Sequence, residues 1–262
     1  MFMNDYKTIK LEEKDHVGLV TLCNPPVNTI TFELLDELSK GLDELESNEN
    51  IWAVVICSSM KIFCAGADVK ALSSCDRAGN IKTSVLFKDV FHKIDNFPHP
   101  VICAVNGAAF GGGFELALAC DLRVFDRRAK AAFPEARLGL VPGAGGTQRL
   151  TRLIGSGRAK QLIFTAMTLT AEEAYRLGIC EYLTGEGDAT AFALNLANDI
   201  CRNSPLAVLL DKKCINYVSN DNSLSDGLEY ETYIGSDAFM TEDLREGISA
   251  FLEKRAPVFQ NR

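Results

Sequence analysis

Three short, mainly apolar runs constrain the fold of this chain more than any other feature. They cover residues 51–56 (IWAVVI), 101–105 (VICAV) and 122–125 (LRVF). Continuous runs of this kind, rich in β-branched residues, are typical of strands covered on both faces of a sheet. A further strand is predicted at 17–22, and leucines at helical spacing predict an amphipathic helix over 32–47. Strands that alternate with helices need crossover connections, so an α/β fold with a largely parallel sheet is predicted.

The second half of the chain, from about residue 145, is predicted to be mainly helical. Thr170 and Glu173 have the spacing of a capping box, and Gly178 is a suitable helix stop. One more strand is predicted at 179–183. Further helices are predicted near 189–202, 205–218, 223–236 and 242–254.

Composition excludes several classes of function. The net charge of −8 over 262 residues disfavours nucleic acid as a partner. Nine cysteines are scattered from Cys23 to Cys214 without a C-x-x-C pair, and the three histidines are far apart. We therefore expect reduced cysteines, no metal site and a cytoplasmic protein. The N-terminal segment 1–6 lacks the features of a signal peptide, and no apolar stretch is long enough to span a membrane.

Two glycine-rich segments each follow a predicted buried strand and open a predicted helix. The first is 63–70 (FCAGADVK), in which Asp68 is a good N-cap for a helix starting at Val69. The second is 106–118 (NGAAFGGGFELAL), directly after the strand at 101–105. By itself, either segment can equally form a simple tight turn. Side by side at the carboxyl edge of a parallel sheet, however, they would supply the two converging N–H donors that a developing oxyanion needs.

Other glycine motifs do not match known phosphate or nucleophile sites. Gln148 stands where a dinucleotide fingerprint starting at Gly143 would need glycine, which disfavours a nucleotide-dependent oxidoreductase. The chain also lacks a phosphate loop and the G-x-S-x-G motif of serine hydrolases.

Two glutamates are candidates for acid–base chemistry. Glu115 lies one turn into the second glycine-rich helix, among apolar and small residues, and Glu135 precedes a glycine-rich loop. Each alone can be a solvated or capping side chain. Together, close to two oxyanion donors, they would form a pair in which one carboxylate takes a proton from water while the other delivers one to carbon.

Four segments together resemble the enoyl-CoA hydratase/isomerase, or crotonase, superfamily over nearly the whole chain. They are 63–70, 106–118, 133–150 (FPEARLGLVPGAGGTQRL) and 241–255 (TEDLREGISAFLEKR). The resemblance implies a crotonase-like spiral of ββα units over residues 1–200, with the coenzyme A site and the catalytic residues. It implies a helical trimerisation region over 201–262, often in a dimer of trimers.

The resemblance also implies roles for individual residues. The oxyanion donors would be the N–H groups of Ala67 and Gly112, and Glu115 and Glu135 would be catalytic. No cofactor is implied, because coenzyme A enters as part of the acyl-CoA thioester substrate. The remaining substrate-binding candidates are Lys61, Ala65, Asp68, Val69, Lys70 and Lys254, the last from the same or an adjacent subunit.

The number of glutamates distinguishes the activities within this superfamily. Similar hydratases carry both, whereas double-bond isomerases usually keep only the one that matches Glu135, so hydration of a trans-2-enoyl-CoA is favoured. An isomerase, a dehydratase of a specialised acyl-CoA, and a non-catalytic or RNA-binding protein of the same fold are the alternatives. Phe114, larger than the residue often found before the first glutamate, leaves the acyl chain length open.

Overall fold

The structure, a computed structural model, describes residues 5–219 and 222–262. The first four residues of the N-terminal segment 1–6 therefore lie outside the described residues. No helix in the described part of the chain is both long and apolar enough to cross a bilayer. All nine cysteines are free thiols.

Strands and helices alternate through the first two thirds of the chain. The strands are β1 (Ile9–Lys14), β2 (Val17–Leu22), β3 (Thr29–Ile30), β4 (Ala53–Ser58), β5 (Gly66–Ala67), β6 (Val101–Val105), β7 (Ala108–Phe110), β8 (Leu122–Asp126), β9 (Lys130–Ala132), β10 (Leu169–Thr170) and β11 (Tyr182–Thr184). The helices are α1 (Phe32–Glu46), α2 (Val69–Ser73), α3 (Arg77–Asp95), α4 (Gly112–Ala119), α5 (Gly146–Ile154), α6 (Ser156–Thr165), α7 (Ala171–Arg176), α8 (Ala189–Ile200), α9 (Pro205–Ser219), α10 (Leu224–Asp237) and α11 (Glu242–Glu253).

The largest sheet has six strands in the order β1-β2-β4-β6-β8-β11. All its pairs are parallel except the hairpin of β1 and β2. The predicted parallel sheet and the helices of the second half of the chain are therefore confirmed. The antiparallel edge strand β1 was not predicted; its half-exposed residues lack the continuous apolar pattern that marks the central strands.

Two predicted strands lie further along the chain than expected. The run at 51–56 becomes β4 only from Ala53, because the Ile51 and Trp52 N–H groups donate to loop carbonyls at Asn48 and His16. The strand predicted at 179–183 is Tyr182–Thr184. There the N–H of Ile179 is used to close α7, through a bond to the carbonyl of Ala174.

Helices cover both faces of the large sheet. On one face, α1 and α3 bury a core that includes Leu38, Phe91 and Val105. On the other face, the alanines of α8 pack against β2, β4, β6 and β8 in a thinner layer. The central strands are therefore buried on both sides, as their continuous apolar sequences require.

A short strand follows each of several strands of the large sheet before the next helix begins. Thus β5 follows β4, β7 follows β6 and β9 follows β8, which gives the repeated ββα units. The strands β7, β9 and β10 form a second sheet, and β3 pairs with β5. The second glycine-rich segment therefore contains β7 before α4, and α4 starts at Gly112, within the glycine run where its start was predicted.

The close approach of α4 to the first glycine-rich segment gives a test of this packing. A Cβ added at Gly113 would lie 2.7 Å from the Cβ of Cys64 and would overlap the Cys64 carbonyl. We expect Gly113→Ala to lower the free energy of unfolding by about 1–3 kcal/mol, as overpacking does. Urea denaturation measures this change.

The matched control is Gly157→Ala in α6, where an added Cβ would meet nothing within 4 Å. There we expect a gain of about 0.5–1 kcal/mol from helix propensity. Equal stabilities for the two variants would contradict the described contact.

Candidate active site

The two glycine-rich segments meet at the ends of β5 and β7. The N–H of Phe110 donates to the Cys64 carbonyl at 3.0 Å, which ties the segments side by side. A Cβ built on Gly112 would lie 3.5 Å from the amide nitrogen of Ala67. A Cβ on Gly66 would lie 3.2 Å from the amide nitrogen of Gly112. The backbones at residues 66–67 and 112 therefore lie side by side, with room for about one methyl group between them.

Asn28 holds the first glycine-rich segment through hydrogen bonds to its first two residues, Phe63 and Cys64. Its side chain is fully buried and donates to Ser58 Oγ at 2.7 Å and to the Phe63 carbonyl at 2.9 Å. The backbone carbonyl of Asn28 accepts from Cys64 Sγ at 3.0 Å. The following strand β3 pairs with β5, with Ile30 opposite Ala67. Asn28 and the strand that follows it thus fix the segment at both Phe63–Cys64 and Gly66–Ala67.

Glu115 is a buried carboxylate held by backbone donors. It lies one turn into α4 with 3% of its surface exposed. Its Oε1 accepts from the N–H groups of Ala144 and Gly146, each at 2.8 Å. Gly146 is close to both the Glu115 side chain and the ring of Phe133, so a Cβ there would overlap them. The glycine-rich loop after Glu135 is therefore the wall of the Glu115 pocket.

Glu135 opens a 3₁₀ turn (Glu135–Leu138) next to the start of α4. Gly111, with φ of 51°, is so near that a Cβ on it would lie 2.7 Å from Glu135 Oε1. Only glycine combines that backbone conformation with that approach. The other carboxylate oxygen, Oε2, is buried and makes no hydrogen bond.

The two glutamates are close enough to influence each other's ionisation. Burial raises the pKa of Glu135 to about 7; its own backbone N–H opposes this shift and the Glu115 carboxylate adds to it. Burial also raises the pKa of Glu115, but the N–H groups of Gly146 and Ala144 and the Arg149 guanidinium oppose the increase. Glu135 is therefore the carboxyl that holds a proton more readily near neutral pH.

The other predicted site residues are distributed around this centre. Ala65 and Asp68 are half-buried on the first glycine-rich segment, where Asp68 caps α2 by accepting from the Lys70 N–H at 2.9 Å. Val69 and Lys70 are exposed on α2, and Lys61 is exposed on the loop before it. Lys254 is exposed at the end of α11, in the C-terminal helical region.

Phe114 is buried, with its ring centroid 4.8 Å from that of Phe133. The sequence reasoning also missed the roles of Ala144, Gly146 and Asn28. The glycine run at 143–146 was a usable signal for the first two, because a backbone that donates to a buried side chain needs close approach. In the described ranges, no group of three or more His, Cys, Asp or Glu side chains is placed to hold a metal ion.

Comparison with known proteins decides the family. The family model for enoyl-CoA hydratase/isomerase matches residues 12–262. The chain belongs to the enoyl-CoA hydratase/isomerase family. A short-chain-enoyl-CoA hydratase of Clostridium acetobutylicum is 36% identical over 261 residues, which cover 98% of this chain and all of that protein.

Solved structures agree with this family assignment and confirm the crotonase fold. The DspI protein of Pseudomonas aeruginosa has a TM-score of 0.94 at 37% identity, covering 98% of both chains. An enoyl-CoA hydratase from Bacillus anthracis has a TM-score of 0.94 at 34% identity, covering 98% of this chain and all of the other.

The buried hydrogen bonds of Asn28 predict a specific sensitivity. Asn28→Asp keeps the shape but turns two donated bonds, to Ser58 and Phe63, into contacts between oxygens. We expect the free energy of unfolding to fall by at least about 2 kcal/mol, because the new carboxylate oxygen is buried against two acceptors in place of the donating amide. The exposed Asn80→Asp is the control, with an expected change within about 0.5 kcal/mol. Equal stabilities in urea denaturation would contradict the role given to Asn28.

Proposed function

We propose that this family member adds water reversibly to a trans-2-enoyl-CoA and gives a 3-hydroxyacyl-CoA. One observation carries the proposal: Glu115 and Glu135 lie together beside the converging backbones at residues 67 and 112. The two backbones with a single carboxyl beside them would suit any enolate chemistry. The second carboxyl is what hydration requires in addition, because water must lose a proton as its oxygen attacks carbon.

In this proposal the N–H groups of Ala67 and Gly112 donate to the thioester carbonyl oxygen. The close approach of the backbones at residues 66–67 and 112 supports a shared target, since two donors must converge on one oxygen. They polarise the alkene and stabilise the enolate that forms as water adds. Such donors contribute through their fixed orientation, and losing one typically lowers the rate by about a hundredfold to a thousandfold.

The two glutamates divide the proton transfers. Glu115 takes a proton from water while the water oxygen bonds to the β-carbon and the alkene electrons move to the thioester oxygen. The enolate then collapses, and the α-carbon takes its proton from Glu135. The sum is one water added, with a proton moved from Glu135 to carbon and another gained by Glu115. Proton exchange between the pair and solvent restores the starting state. No cofactor takes part in this sequence.

Coenzyme A would lie along the first glycine-rich segment. Ala65, Asp68 and Val69 border the proposed carbonyl site, and the exposed Lys61 and Lys70 are available for phosphate groups. Lys254 would contribute from α11 of the same subunit or of a neighbour.

We also propose that residues 1–200 form the catalytic core and that residues 201–262 associate into trimers or a dimer of trimers. Support comes from large apolar side chains of the C-terminal region that are at least half exposed in the single chain. They include Ile215, Leu224, Leu228, Tyr233, Phe239, Met240, Phe251 and Leu252.

Substitution of each glutamate tests the proposed chemistry. Glu115→Gln and Glu135→Gln keep the side-chain size but remove the proton transfer. We expect each to lower kcat for crotonyl-CoA hydration by at least about a hundredfold, with folding retained. Loss of absorbance of the conjugated alkene follows the reaction.

Glu172→Gln, on the exposed start of α7, is the control and should keep wild-type kcat. Wild-type kcat in either active-site variant would remove that residue from the mechanism. Rapid conversion of a 3-enoyl-CoA to its 2-enoyl isomer, without hydration of crotonyl-CoA, would favour the isomerase instead.

The ionisation of the pair predicts the pH dependence. Hydration needs Glu115 ionised and Glu135 protonated, and dehydration needs the reverse, so both directions use a pair that carries one proton. We therefore expect a bell-shaped profile of kcat/KM whose alkaline limb lies near pH 7, where Glu135 loses its proton. The acid limb marks gain of a second proton.

Measurement of both directions provides the check. Because hydration takes up no net proton, the profiles for crotonyl-CoA and for 3-hydroxybutyryl-CoA should superimpose after scaling. A profile that stays flat from pH 6 to 9 would be incompatible with the raised pKa of Glu135.

A further inference from the structure

The loop that holds Glu115 is itself held from behind by Arg149. Arg149 Nη1 donates to the carbonyl of Ala144 at 3.1 Å. The N–H groups on either side of that peptide, those of Ala144 and Gly146, are the two that donate to Glu115. The guanidinium therefore orients the backbone whose other face binds the carboxylate.

Gly145 allows this close contact. Its φ of 108° lies in the left-handed region, and the Arg149 guanidinium occupies the space where a Cβ would stand. The backbone N–H of Arg149 also donates to the Gly145 carbonyl at 2.8 Å, at the first turn of α5. Arg149 thus contacts the loop with both its main chain and its side chain.

A second anchor fixes the guanidinium itself. Arg149 Nη2 donates to Asp95 Oδ2 at 3.2 Å, at the last residue of α3. The Asp95 carbonyl in turn accepts from Asn216 of α9 at 3.3 Å. The Arg149 side chain is only 20% exposed, whereas that of Asp95 is 42% exposed, so the guanidinium side of the ion pair is the more shielded from water.

Behind the loop lies open space. A cavity of about 1010 Å³ is bordered by Ala144, Gly145, Arg149, Asp95 and Asn216. The loop is thus a thin wall between Glu115 and this cavity, and Arg149 is the side chain that braces it. A backbone with a cavity behind it can shift unless something holds it in place.

We propose that Arg149 is a positioning residue for Glu115. Arg149 holds residues 144–146 so that the N–H groups of Ala144 and Gly146 keep the Glu115 carboxylate in place and stabilise its negative charge. The inference rests on the proposed function, in which Glu115 takes the proton of water. It adds a residue that acts on Glu115 through the loop.

The charges around Glu115 define what the guanidinium contributes. From the 3₁₀ turn, Glu135 presents a second carboxyl; from α5, Arg149 presents the cation that opposes the raised pKa of Glu115. Asp95 of α3 lies beyond Arg149 and partly balances it. The neighbours of Glu115 on α4 are apolar. Removing the cation therefore leaves Glu115 harder to ionise.

Kinetics of the full-length protein with crotonyl-CoA test the inference. For Arg149→Met we expect kcat to fall about tenfold to a hundredfold, as misplacement of a catalytic group does, with KM within about threefold. The acid limb of the kcat/KM profile should move to higher pH. Arg149→Lys keeps the charge but loses the two-point hold, so kcat should fall while the acid limb stays close to wild type.

Arg152→Met is the matched control. The substitution removes the same charge from the same helix at the border of the same cavity, and the Arg152 guanidinium donates to the backbone carbonyl and to the side chain of Gln148. We expect wild-type kcat and an unmoved acid limb.

The outcomes separate the two proposals. An inactive wild type would overturn the proposed function and this inference with it. An active wild type with unchanged kcat and acid limb in Arg149→Met would overturn the inference alone. If circular dichroism shows that Arg149→Met does not fold, Arg149→Lys decides, and wild-type kcat in that variant would overturn the inference.

Discussion

The buried carboxylate of Glu115 is the interaction on which the rest of the site depends. Moving an ionised carboxylate out of water is costly unless donors replace the lost hydration. Here the N–H groups of Ala144 and Gly146 take that part, at 2.8 Å each. Backbone donors can come so near only if the loop lacks side chains on that face, which is why Gly146 lies between the Glu115 side chain and the Phe133 ring. The glycine-rich loop, its aromatic backing and the first turn of α4 are therefore one unit.

The absence of side chains at Gly66 and Gly112 likewise allows the two chain segments at residues 67 and 112 to come together. Parallel strands β4 and β6 end at the same edge of the sheet, and each continues into a short strand. The bond from Phe110 to Cys64 then joins these extensions, so the following residues meet at backbone distance. Asn28 completes the arrangement, since its buried amide donates to the Phe63 carbonyl and to Ser58 Oγ.

Much of this could be predicted from the sequence, for physical reasons. The apolar runs indicated strands buried on both faces of the sheet, and the spacing of the leucines indicated which face of α1 packs on the core. The paired glutamates and glycine-rich segments were visible because carboxylates among apolar residues are rare. By contrast, β7 was missed, because a strand of only three residues is too short to show an alternating pattern. Arg149 and Asn28 could not be found either: each acts through a backbone carbonyl far away in sequence or on a neighbouring turn, and such contacts leave no pattern in residue types.

The contrast between the two carboxyls also bears on which reaction the site suits. Moving a double bond within an acyl-CoA requires one group that takes a proton from one carbon and returns it to another, and Glu135, with its raised pKa and an unbonded buried oxygen, has those properties. Glu115 would then have no proton to carry. Keeping it buried requires two oriented N–H groups, a glycine at residue 146 and a guanidinium behind the loop, all of which favour its ionised form. In this site two N–H groups and a guanidinium oppose the burial that raises the pKa of Glu115, while the pKa of Glu135 is raised to about 7. That contrast suits a reaction in which one carboxylate takes a proton from water and the other carboxyl gives a proton to carbon. Hydration has that requirement, and isomerisation does not.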